Sequence, residues 1–376
     1  MKISKVVAHA LNVPIEIDIC DLRQTNHLGA CVVEIETDEG LKGCGLTAIT
    51  EVEVVAAAIN KIAAEALVGE DPCNTEKLWE KLYWLMAPRG QTGYALHAIA
   101  ALDIALWDIK GQALGQPVWK LLGGARSIVP VYATFGFRFF GNEVIGDAAK
   151  LWVEQGYRGL KMTVGDGGLR RRDEPRPLHN LIEEDVERVA RVREAVGPNI
   201  KLFVDANCNL DPYHAIQLAR EIEQYRIEFF EEPITQNDVR RLADLRQRTT
   251  IPVAAGQNEG LSYRFRDLMI AGAVDIVQPN VAITGGYTQC TKIAGMAQAF
   301  NVGIDNGGAW PHFNMHLHAG LANGGLVEMH YIAVELCKSL FDGLPEAKDG
   351  SLALPTLPGL GFTLNQERLG RIKALS

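Results

Sequence analysis

The sequence lacks the cysteine patterns of disulfide-rich and zinc-binding proteins. Its seven cysteines are scattered, odd in number and free of any CxxC pair. They are Cys20, Cys31, Cys44, Cys73, Cys208, Cys290 and Cys337. This pattern excludes a disulfide framework and a structural zinc site, and it indicates reduced thiols in the cytoplasm.

The chain also lacks the features that direct proteins to membranes or nucleic acids. No apolar run approaches the roughly 20 residues that a membrane span needs. The N-terminal segment MKISKVVAHALNVPIEIDIC alternates like a strand and has no apolar core of a signal peptide. The formal charge is −9 and the pI about 5.6, so basic residues are not in excess. We expect a cytoplasmic globular protein with no nucleic-acid partner and no membrane partner.

The N-terminal third of the chain contains two successive patterns of apolar and polar residues. Residues 1 to about 50 alternate like strands, and the segment DEG reads as a hairpin-type turn. From 51 to about 125 the apolar residues recur at helical spacing, as do Ile99, Leu102 and Leu106. The pattern predicts an α+β unit over residues 1–125.

From Val129 onward, a short apolar strand, a loop and a helix alternate repeatedly. The predicted strands are 131–137, 159–165, 201–207, 227–233, 251–257, 275–280, 302–306 and 326–331. Eight such strands predict a (β/α)-barrel over residues 126–340, with the active face at the carboxyl ends of the strands. A doubly wound open sheet is the alternative, but no GxGxxG follows the first strand. The Pro- and Gly-rich tail, 341–376, is expected to pack on the N-terminal unit.

Three consecutive barrel strands end in the polar motifs VDAN, FEEP and AGQN. Their key residues, Asp205, Glu231 and Gln257, are 26 and again 26 residues apart, about one strand–helix unit. We therefore expect these side chains at one level on neighbouring strands. Oxygen ligands that converge on one point fit a hard divalent cation, so the spacing predicts a Mg²⁺ site. The alternative to a metal site is that these acidic residues at the strand ends only make the following loops soluble.

Several motifs resemble those of one enzyme family. The segment ALDIALWDIKGQALGQPVWKLLGG (101–124) is followed in order by GYRGLKM, VDAN, EEP and DIVQPN…GG. Together they resemble the enolase superfamily, in particular its mandelate racemase and muconate lactonizing branch, over essentially the whole chain. The resemblance implies an N-terminal α+β capping domain, a (β/α)₇β modified TIM barrel, and Mg²⁺ held at the ends of the third, fourth and fifth strands.

The resemblance also implies a reaction and a substrate class. The family's shared step removes the proton α to a substrate carboxylate, and a metal and cationic side chains stabilise the enolate. A small-molecule carboxylate is therefore the expected partner. Family members are commonly homo-oligomers, so a homo-oligomer is expected here.

Four positions depart from the family's pattern. The second-strand motif reads Lys161-Met162-Thr163, so Thr163 replaces the usual base. Asn280 stands where relatives have Asp or Lys, and our alignment places Gly307 where many have His. Gln257 replaces the third metal carboxylate but can still bind through its carbonyl oxygen. Glu259 is the alternative third ligand.

The remaining polar residues suggest roles in proton transfer and substrate binding. Lys161 is the first candidate base, because a nearby cation and desolvation can lower its pKa toward neutrality. The alternative is a purely electrostatic role. Asp305 is the second candidate, unless it only caps the next helix. Glu328 resembles a family residue that contacts the substrate carboxylate, and Asn207 points to the same face. Thr163 and Asn280 are further candidate substrate contacts.

Two segments are candidate specificity elements. The segment GDGGLRRRDEPRPLHN (165–180) is either a surface loop or a lid whose arginines contact an anionic substrate. Those arginines are Arg170, Arg171, Arg172 and Arg176. The segment DLRQTNHLG (21–29) is similar in place to the family's specificity loop, which makes Arg23 and His27 candidate substrate contacts.

Two classes of function follow from these patterns. The first is a Mg²⁺-dependent enzyme acting on a hydroxy-carboxylate, with dehydration of an acid sugar as the expected reaction. A syn elimination can work with one acid–base group, whereas a racemase needs groups on two faces. A racemase or cycloisomerase using Lys161 and Asp305 is the alternative. The second class is a non-catalytic metal- or carboxylate-binding relative.

Overall fold

The computed structural model describes residues 1–20, 22–90, 93–169 and 178–375, with backbone alone at 89–90 and 374–375. Within these ranges, none of the helices combines the length and apolar character needed to cross a membrane.

In the described residues, a three-stranded antiparallel sheet, five α-helices and a π-helical turn between the first two helices (Ile59–Ala63) form the N-terminal unit. The strands lie in the order β1 (Ile3–Ile19), β2 (Leu22–Thr37) and β3 (Lys42–Ala48). The helices are α1 (Val52–Ala58), α2 (Ala64–Leu67), α3 (Thr75–Gly90), α4 (Tyr94–Ala113) and α5 (Val118–Leu121). The predicted DEG turn joins β2 to β3, and Gly40 there has a φ of +84°, which favours glycine. A Cβ on Gly45 would lie 1.9 Å from Ala101 O, so the sheet approaches α4 closely.

Eight parallel strands, β4 to β11, form the barrel. They are β4 (Ile128–Gly136), β5 (Gly159–Thr163), β6 (Lys201–Asp205), β7 (Ile227–Glu231), β8 (Val253–Ala255), β9 (Ile276–Val277), β10 (Gly303–Ile304) and β11 (Val327–His330). The intervening helices are α6 (Ile145–Glu154), α7 (Leu178–Val196), α8 (Pro212–Ile222), α9 (Val239–Arg246), α10 (Leu261–Ile270), α11 (Gly286–Ala299) and α12 (Pro311–Gly320). Each predicted barrel strand overlaps an observed one. Seven strand–helix units and a final strand make this a (β/α)₇β barrel beside an α+β cap, as the sequence predicted.

The barrel closes on both sides of β11. On one side β11 pairs with β4, so that Glu328 lies opposite Tyr132 and His330 opposite Thr134. On the other side, the N–H of Asn306 donates to Leu326 O at 2.8 Å. The side chain of Asn306 then accepts the N–H of Glu328 at 3.1 Å. Side chains thus help to join β10 to β11.

Aromatic side chains fill the barrel beneath the carboxyl ends of its strands. Tyr132, Phe203 and Phe229 are buried, with ring centroids 5.0 Å apart (Tyr132–Phe203) and 4.4 Å apart (Phe203–Phe229). Side chains two residues apart on a strand face the same side. Asp205 and Glu231 therefore lie one layer above Phe203 and Phe229, on a close-packed apolar floor.

The C-terminal segment contacts both the cap and the barrel. It follows α13 (Tyr331–Leu340) and contains β12 (Phe341–Asp342), β13 (Ala347–Lys348), β14 (Ser351–Ala353), β15 (Thr363–Leu364) and α14 (Gln366–Leu375). Gln366 donates to Glu34 of the cap at 2.6 Å, in line with the expected packing on the cap. In addition, β14 pairs antiparallel with β4, which the sequence did not predict. The domain boundaries at 125/126 and 340/341 stay predictions.

Candidate active site

Two buried carboxylates mark the centre of the barrel's carboxyl end. Asp205 is the last residue of β6 and Glu231 the last residue of β7, and the two are register partners. Thr163, the last residue of β5, is the register partner of Asp205 on its other side. Asp205 and Glu231 therefore lie at the same level of the barrel, as their 26-residue spacing in the sequence predicted.

Lys161 connects these carboxylates to a third one. Its Nζ lies 2.6 Å from Glu231 Oε2, 2.8 Å from Glu328 Oε1 and 3.3 Å from Asp205 Oδ2. An ammonium group has three N–H donors, and three carboxylates are available to accept them.

Three carboxylates determine the charge state of Lys161 in this structure. Burial lowers the pKa of Lys161, but Glu231 and Glu328 outweigh it and hold this pKa well above its ordinary value. The sequence-based expectation of a lowered pKa applies to a lysine beside a bound cation and stays a prediction.

Gln257 lies two residues beyond β8, beside the carboxylates. Its Nε2 lies 3.3 Å from Asp205 Oδ2, 3.2 Å from Glu232 Oε2 and 3.4 Å from Asn207 Oδ1. The amide nitrogen therefore faces the acidic groups in this arrangement. A half-turn of the amide about its last side-chain bond would bring the carbonyl oxygen to the same place.

The donor set fits a magnesium ion. Glu231 Oε1 is buried and has no hydrogen-bond partner among the described residues, so one oxygen of the cluster is free to bind a ligand. Carboxylate and amide oxygens are the ligands that Mg²⁺ prefers. Asp205, Glu231 and, after the amide turn, Gln257 would hold the ion. Glu259 is engaged elsewhere, because Arg264 Nε donates to it at 2.8 Å and Asn237 Nδ2 at 3.1 Å.

Glu328 is fully buried and belongs to the same cluster. In addition to Lys161, its Oε1 accepts the hydroxyl of Thr134, and its Oε2 accepts the N–H of Ala309 at 2.7 Å. The side chain therefore joins β11, β4 and the turn after β10. Burial opposes ionisation, but Lys161 outweighs it and lowers the pKa of Glu328.

The residues that replace the family's acid–base groups on the sixth and seventh strands have structural contacts. Asn280 Nδ2 donates to three successive carbonyl oxygens, those of Gly307 at 2.7 Å, Gly308 at 2.9 Å and Ala309 at 3.1 Å. A Cβ on Gly307 would lie 2.6 Å from Glu231 Oε1. Position 307 therefore faces the carboxylates, and a side chain there would require Glu231 to move. Substrate binding by Asn280 stays a prediction.

Asp305 is directed toward the neighbouring strand. Its Oδ1 accepts the N–H of Leu326, just before β11, at 2.6 Å. Burial raises its pKa to about 6. No described contact joins this carboxylate to Lys161 or to the metal ligands. The structure thus does not bring Asp305 into the cluster, and proton transfer by it stays a prediction.

A cavity of about 580 Å³ lies at the mouth of the barrel. Its lining includes two predicted substrate contacts, Thr163 and Asn207. It also includes Asn209, Asn258 and Arg138, which the sequence reasoning did not single out. Hydroxyl and amide groups of this kind can bind the hydroxyl groups of a polar ligand.

The structure describes nearly all of one candidate specificity segment and only part of the other. Residues 22–29 are part of strand β2, whereas the resemblance had suggested a loop. Arg23 is exposed and pairs with Asp18 at 3.3 Å, and His27 is exposed. No described contact brings either residue to the carboxylate cluster. The predicted lid arginines, Arg170, Arg171, Arg172 and Arg176, lie outside the described residues.

Sequence reasoning missed two residues near the cluster. Glu232 is fully buried and accepts hydrogen bonds from Gln257 and, at 2.9 Å, from Asn237. His330 follows Glu328 by two residues on β11 and is therefore on the same face of the strand. The period-two pattern of VEMH was a usable signal for His330. No comparable pattern indicated Glu232. Side chains alternate along a strand, so the residue after the inward-facing Glu231 is expected to face away from the barrel interior.

The fold and the site define a class of protein: a capped barrel enzyme with an oxygen-ligand metal site at its mouth. Family models match residues 3–123 (mandelate racemase / muconate lactonizing enzyme, N-terminal domain) and 143–368 (enolase C-terminal domain-like). The chain belongs to the mandelate racemase and muconate lactonizing branch of the enolase superfamily.

Named relatives are dehydratases and cycloisomerases. Arabinonate dehydratase of Saccharolobus solfataricus is 33% identical over 338 residues, covering 88% of this chain and 87% of that protein. D-galactarolactone cycloisomerase of Agrobacterium fabrum is 32% identical and covers 98% of both chains. The structure of L-talarate dehydratase from Polaromonas sp. JS666, complexed with Mg and L-glucarate, matches with a TM-score of 0.84 and 30% identity. That match covers 98% of this chain and 96% of the other.

Proposed function

We propose that the protein is a Mg²⁺-dependent acid-sugar dehydratase. It removes the proton α to a carboxylate and expels the hydroxyl group on the next carbon as water. The observation that carries the proposal is the convergence of Asp205, Glu231 and Lys161 at the barrel mouth, where Glu231 Oε1 has no partner among the described residues. The 33% identity to a named dehydratase supports the same reaction class.

Each site residue has a proposed task. Asp205, Glu231 and Gln257 hold the metal ion, which supplies positive charge to the substrate carboxylate when bound. Lys161 adds a second positive charge beside the substrate carboxylate, while Glu328 fixes the lysine's position at 2.8 Å. Thr163 and Asn207 bind substrate hydroxyl groups, which their place in the lining of the mouth cavity supports.

Cycloisomerisation of a sugar lactone is the second candidate. It begins with the same α-proton removal, but an internal oxygen leaves instead of water. The observation that favours it is the 32% identity to D-galactarolactone cycloisomerase over 98% of both chains.

Proton exchange tests the proposal directly. The protein with Mg²⁺ is incubated in D₂O with arabinonate, L-glucarate and D-galactarolactone in turn. NMR follows deuterium at the α-carbon. Mass spectrometry distinguishes dehydration, which removes one water molecule from the substrate, from cycloisomerisation, which opens the ring without a change in mass. We expect exchange or turnover with at least one acid, and its loss after chelation of the metal.

Two lysine variants make the test specific. Lys161→Met should abolish exchange, and Lys201→Met is the matched control, because Lys201 is more than half exposed at the opposite end of the barrel. Absence of exchange with all three acids in the wild type would contradict the proposed function. Full exchange in Lys161→Met would contradict the task given to Lys161.

Location and assembly are part of the proposal. We propose a cytoplasmic protein, and the seven free cysteines support this. A homo-oligomer is proposed as well, and light scattering on the purified protein would measure its mass.

A further inference from the structure

His330 lies at the carboxyl end of the last barrel strand, close to the charged cluster. It is opposite Thr134 on β4, and Thr134 is in turn opposite Lys161 on β5. Glu328 faces the barrel interior, because it contacts Lys161 there. His330 is two residues further on, so it faces the interior about 7 Å nearer to the mouth.

The imidazole has capacity for proton transfer. Its Nδ1 is buried and lacks a hydrogen-bond partner within the described residues. The ring packs against Phe137, with 5.0 Å between centroids, and Phe137 lines the mouth cavity. The ring therefore lies one side chain away from the cavity, behind Phe137, and its Nδ1 is not engaged by a contact within the described residues.

The neighbouring positions leave this chemistry to His330. Thr163 donates its hydroxyl to Gly136 O at 3.2 Å, and a hydroxyl group is a poor base. Gly307 has no side chain. Burial lowers the pKa of His330 to about 4, so the ring is neutral at neutral pH and carries one unprotonated nitrogen.

We propose that His330 is a catalytic acid–base residue for an acid sugar bound in the mouth cavity. The inference rests on the proposed function and adds a residue to it. Many family members have a histidine at the position of Gly307, after the seventh strand. In this protein, the proposed imidazole comes from the eighth strand instead.

The step balances without a further reactant. The C2–H bond of the acid sugar breaks, the proton moves to the imidazole, and the electron pair forms the enediolate. The enediolate then forms C2=C3 as the C3–O bond breaks, and the hydroxyl group leaves as water with the proton from the imidazole. The resulting enol takes a proton at C3 and loses one from oxygen, which gives the 2-keto-3-deoxy acid.

The test compares His330→Asn and His330→Gln with the wild type on the acid that the wild type uses best. General acid–base catalysis contributes about 10²- to 10⁴-fold, so we expect kcat to fall by this factor with little change in KM. His330→Ala should regain part of its activity when imidazole is added to the buffer. His312→Asn is the matched control, since His312 likewise has a buried Nδ1 without a partner among the described residues but lines a different cavity.

The outcomes separate the two proposals. An active wild type with a folded His330 variant that retains more than about a tenth of kcat would overturn the role of His330 alone. Failure of all His330 variants to fold, shown by circular dichroism, would identify a structural residue and overturn it too. A wild type that neither exchanges nor converts any of the three acids would overturn the proposed function, and this inference with it.

Discussion

At the scale of single residues, Gln257 has an electrostatic task that a carboxylate could not perform. Its amide nitrogen lies between Asp205 and Glu232, at 3.3 and 3.2 Å, and donates toward both. Glu232 is itself fully buried, and burial raises its pKa. A neutral donor at position 257 therefore offsets repulsion among buried acidic groups.

Replacing this amide with a carboxylate should change metal affinity and protein stability in opposite directions. Gln257→Glu adds a negative charge beside Asp205, so we expect the metal-free protein to lose roughly 1–3 kcal/mol of unfolding free energy. Mg²⁺ should bind more tightly, because a third carboxylate becomes available. Urea unfolding and titration calorimetry measure the two effects.

Gln247→Glu is the control, since Gln247 is exposed after α9 and should change neither quantity. An unchanged or weaker Mg²⁺ affinity in Gln257→Glu would show that position 257 does not contact the ion.

The sequence allowed some of these residues to be predicted and not others. Asp205 and Glu231 were accessible because one strand–helix unit has a regular length, which aligns strand ends. The ion pairs of Lys161 with three carboxylates could not be predicted from the sequence, because Glu328 comes from a strand more than 160 residues away in the chain. Contacts between distant segments have no local pattern.

At the scale of elements, side chains contribute to the junction between β10 and β11. Asp305 accepts the N–H of Leu326 at 2.6 Å, and Asn306 accepts that of Glu328 at 3.1 Å. The two neighbouring polar residues thus replace part of a regular backbone ladder. Because Glu328 carries the Lys161 contact, this junction also positions the active site.

Variants of Asp305 test this structural task against the catalytic one. Asp305→Ala removes the charged acceptor of the half-buried Leu326 N–H, so we expect a loss of about 1–3 kcal/mol in unfolding free energy. Asp305→Asn keeps an acceptor for that N–H and removes the ionisable group, so it should be nearly as stable as the wild type. Thermal or urea unfolding measures both.

Activity supplies the second readout for the same pair. If Asp305 only supports the junction, Asp305→Asn keeps α-proton exchange. Loss of exchange in a stable Asp305→Asn protein would instead support proton transfer by Asp305.

Element type was easier to predict than element extent. All eight barrel strands were expected, since short apolar runs between helical segments are a strong pattern. The resemblance implies a loop at residues 22–29, but these residues begin β2 and pair residue by residue with β1. Their sequence, LRQTNHLG, is largely polar, so the strand is set by its partner and not by burial.

At the scale of the whole molecule, buried polar contacts hold the cap on the barrel. Asp103 on α4 accepts the hydroxyl of Thr288 on α11 at 2.6 Å and its N–H at 3.0 Å. Trp79 on α3 donates to Gly285 O, before α11, at 2.7 Å. Asp108 on α4 accepts the N–H of Leu360 in the C-terminal segment at 2.9 Å.

The Asp103 contact should make stability depend on pH. Burial raises the pKa of Asp103 to about 7, whereas an unfolded Asp has a pKa of about 3.9. Between these values the folded state binds more protons, so the wild type loses stability as pH rises. The loss should approach 1.4 kcal/mol per pH unit from this group.

Asp103→Asn isolates this contribution, because the amide does not titrate. The wild-type unfolding free energy minus that of Asp103→Asn should shrink between about pH 5 and pH 7 in urea titrations. A difference that stays constant over this range would show that Asp103 is ionised throughout.

The glycine at position 307 leaves room for one orientation of a carboxylate. A Cβ there would approach Glu231 Oε1 to 2.6 Å, and Lys161 holds the other oxygen of that carboxylate at 2.6 Å. Any larger residue at this site would therefore make the Glu231 carboxylate turn, and the ion pair with Lys161 would have to re-form in a new geometry. The smallest residue in the protein thus sets the direction in which one of its most buried charges points.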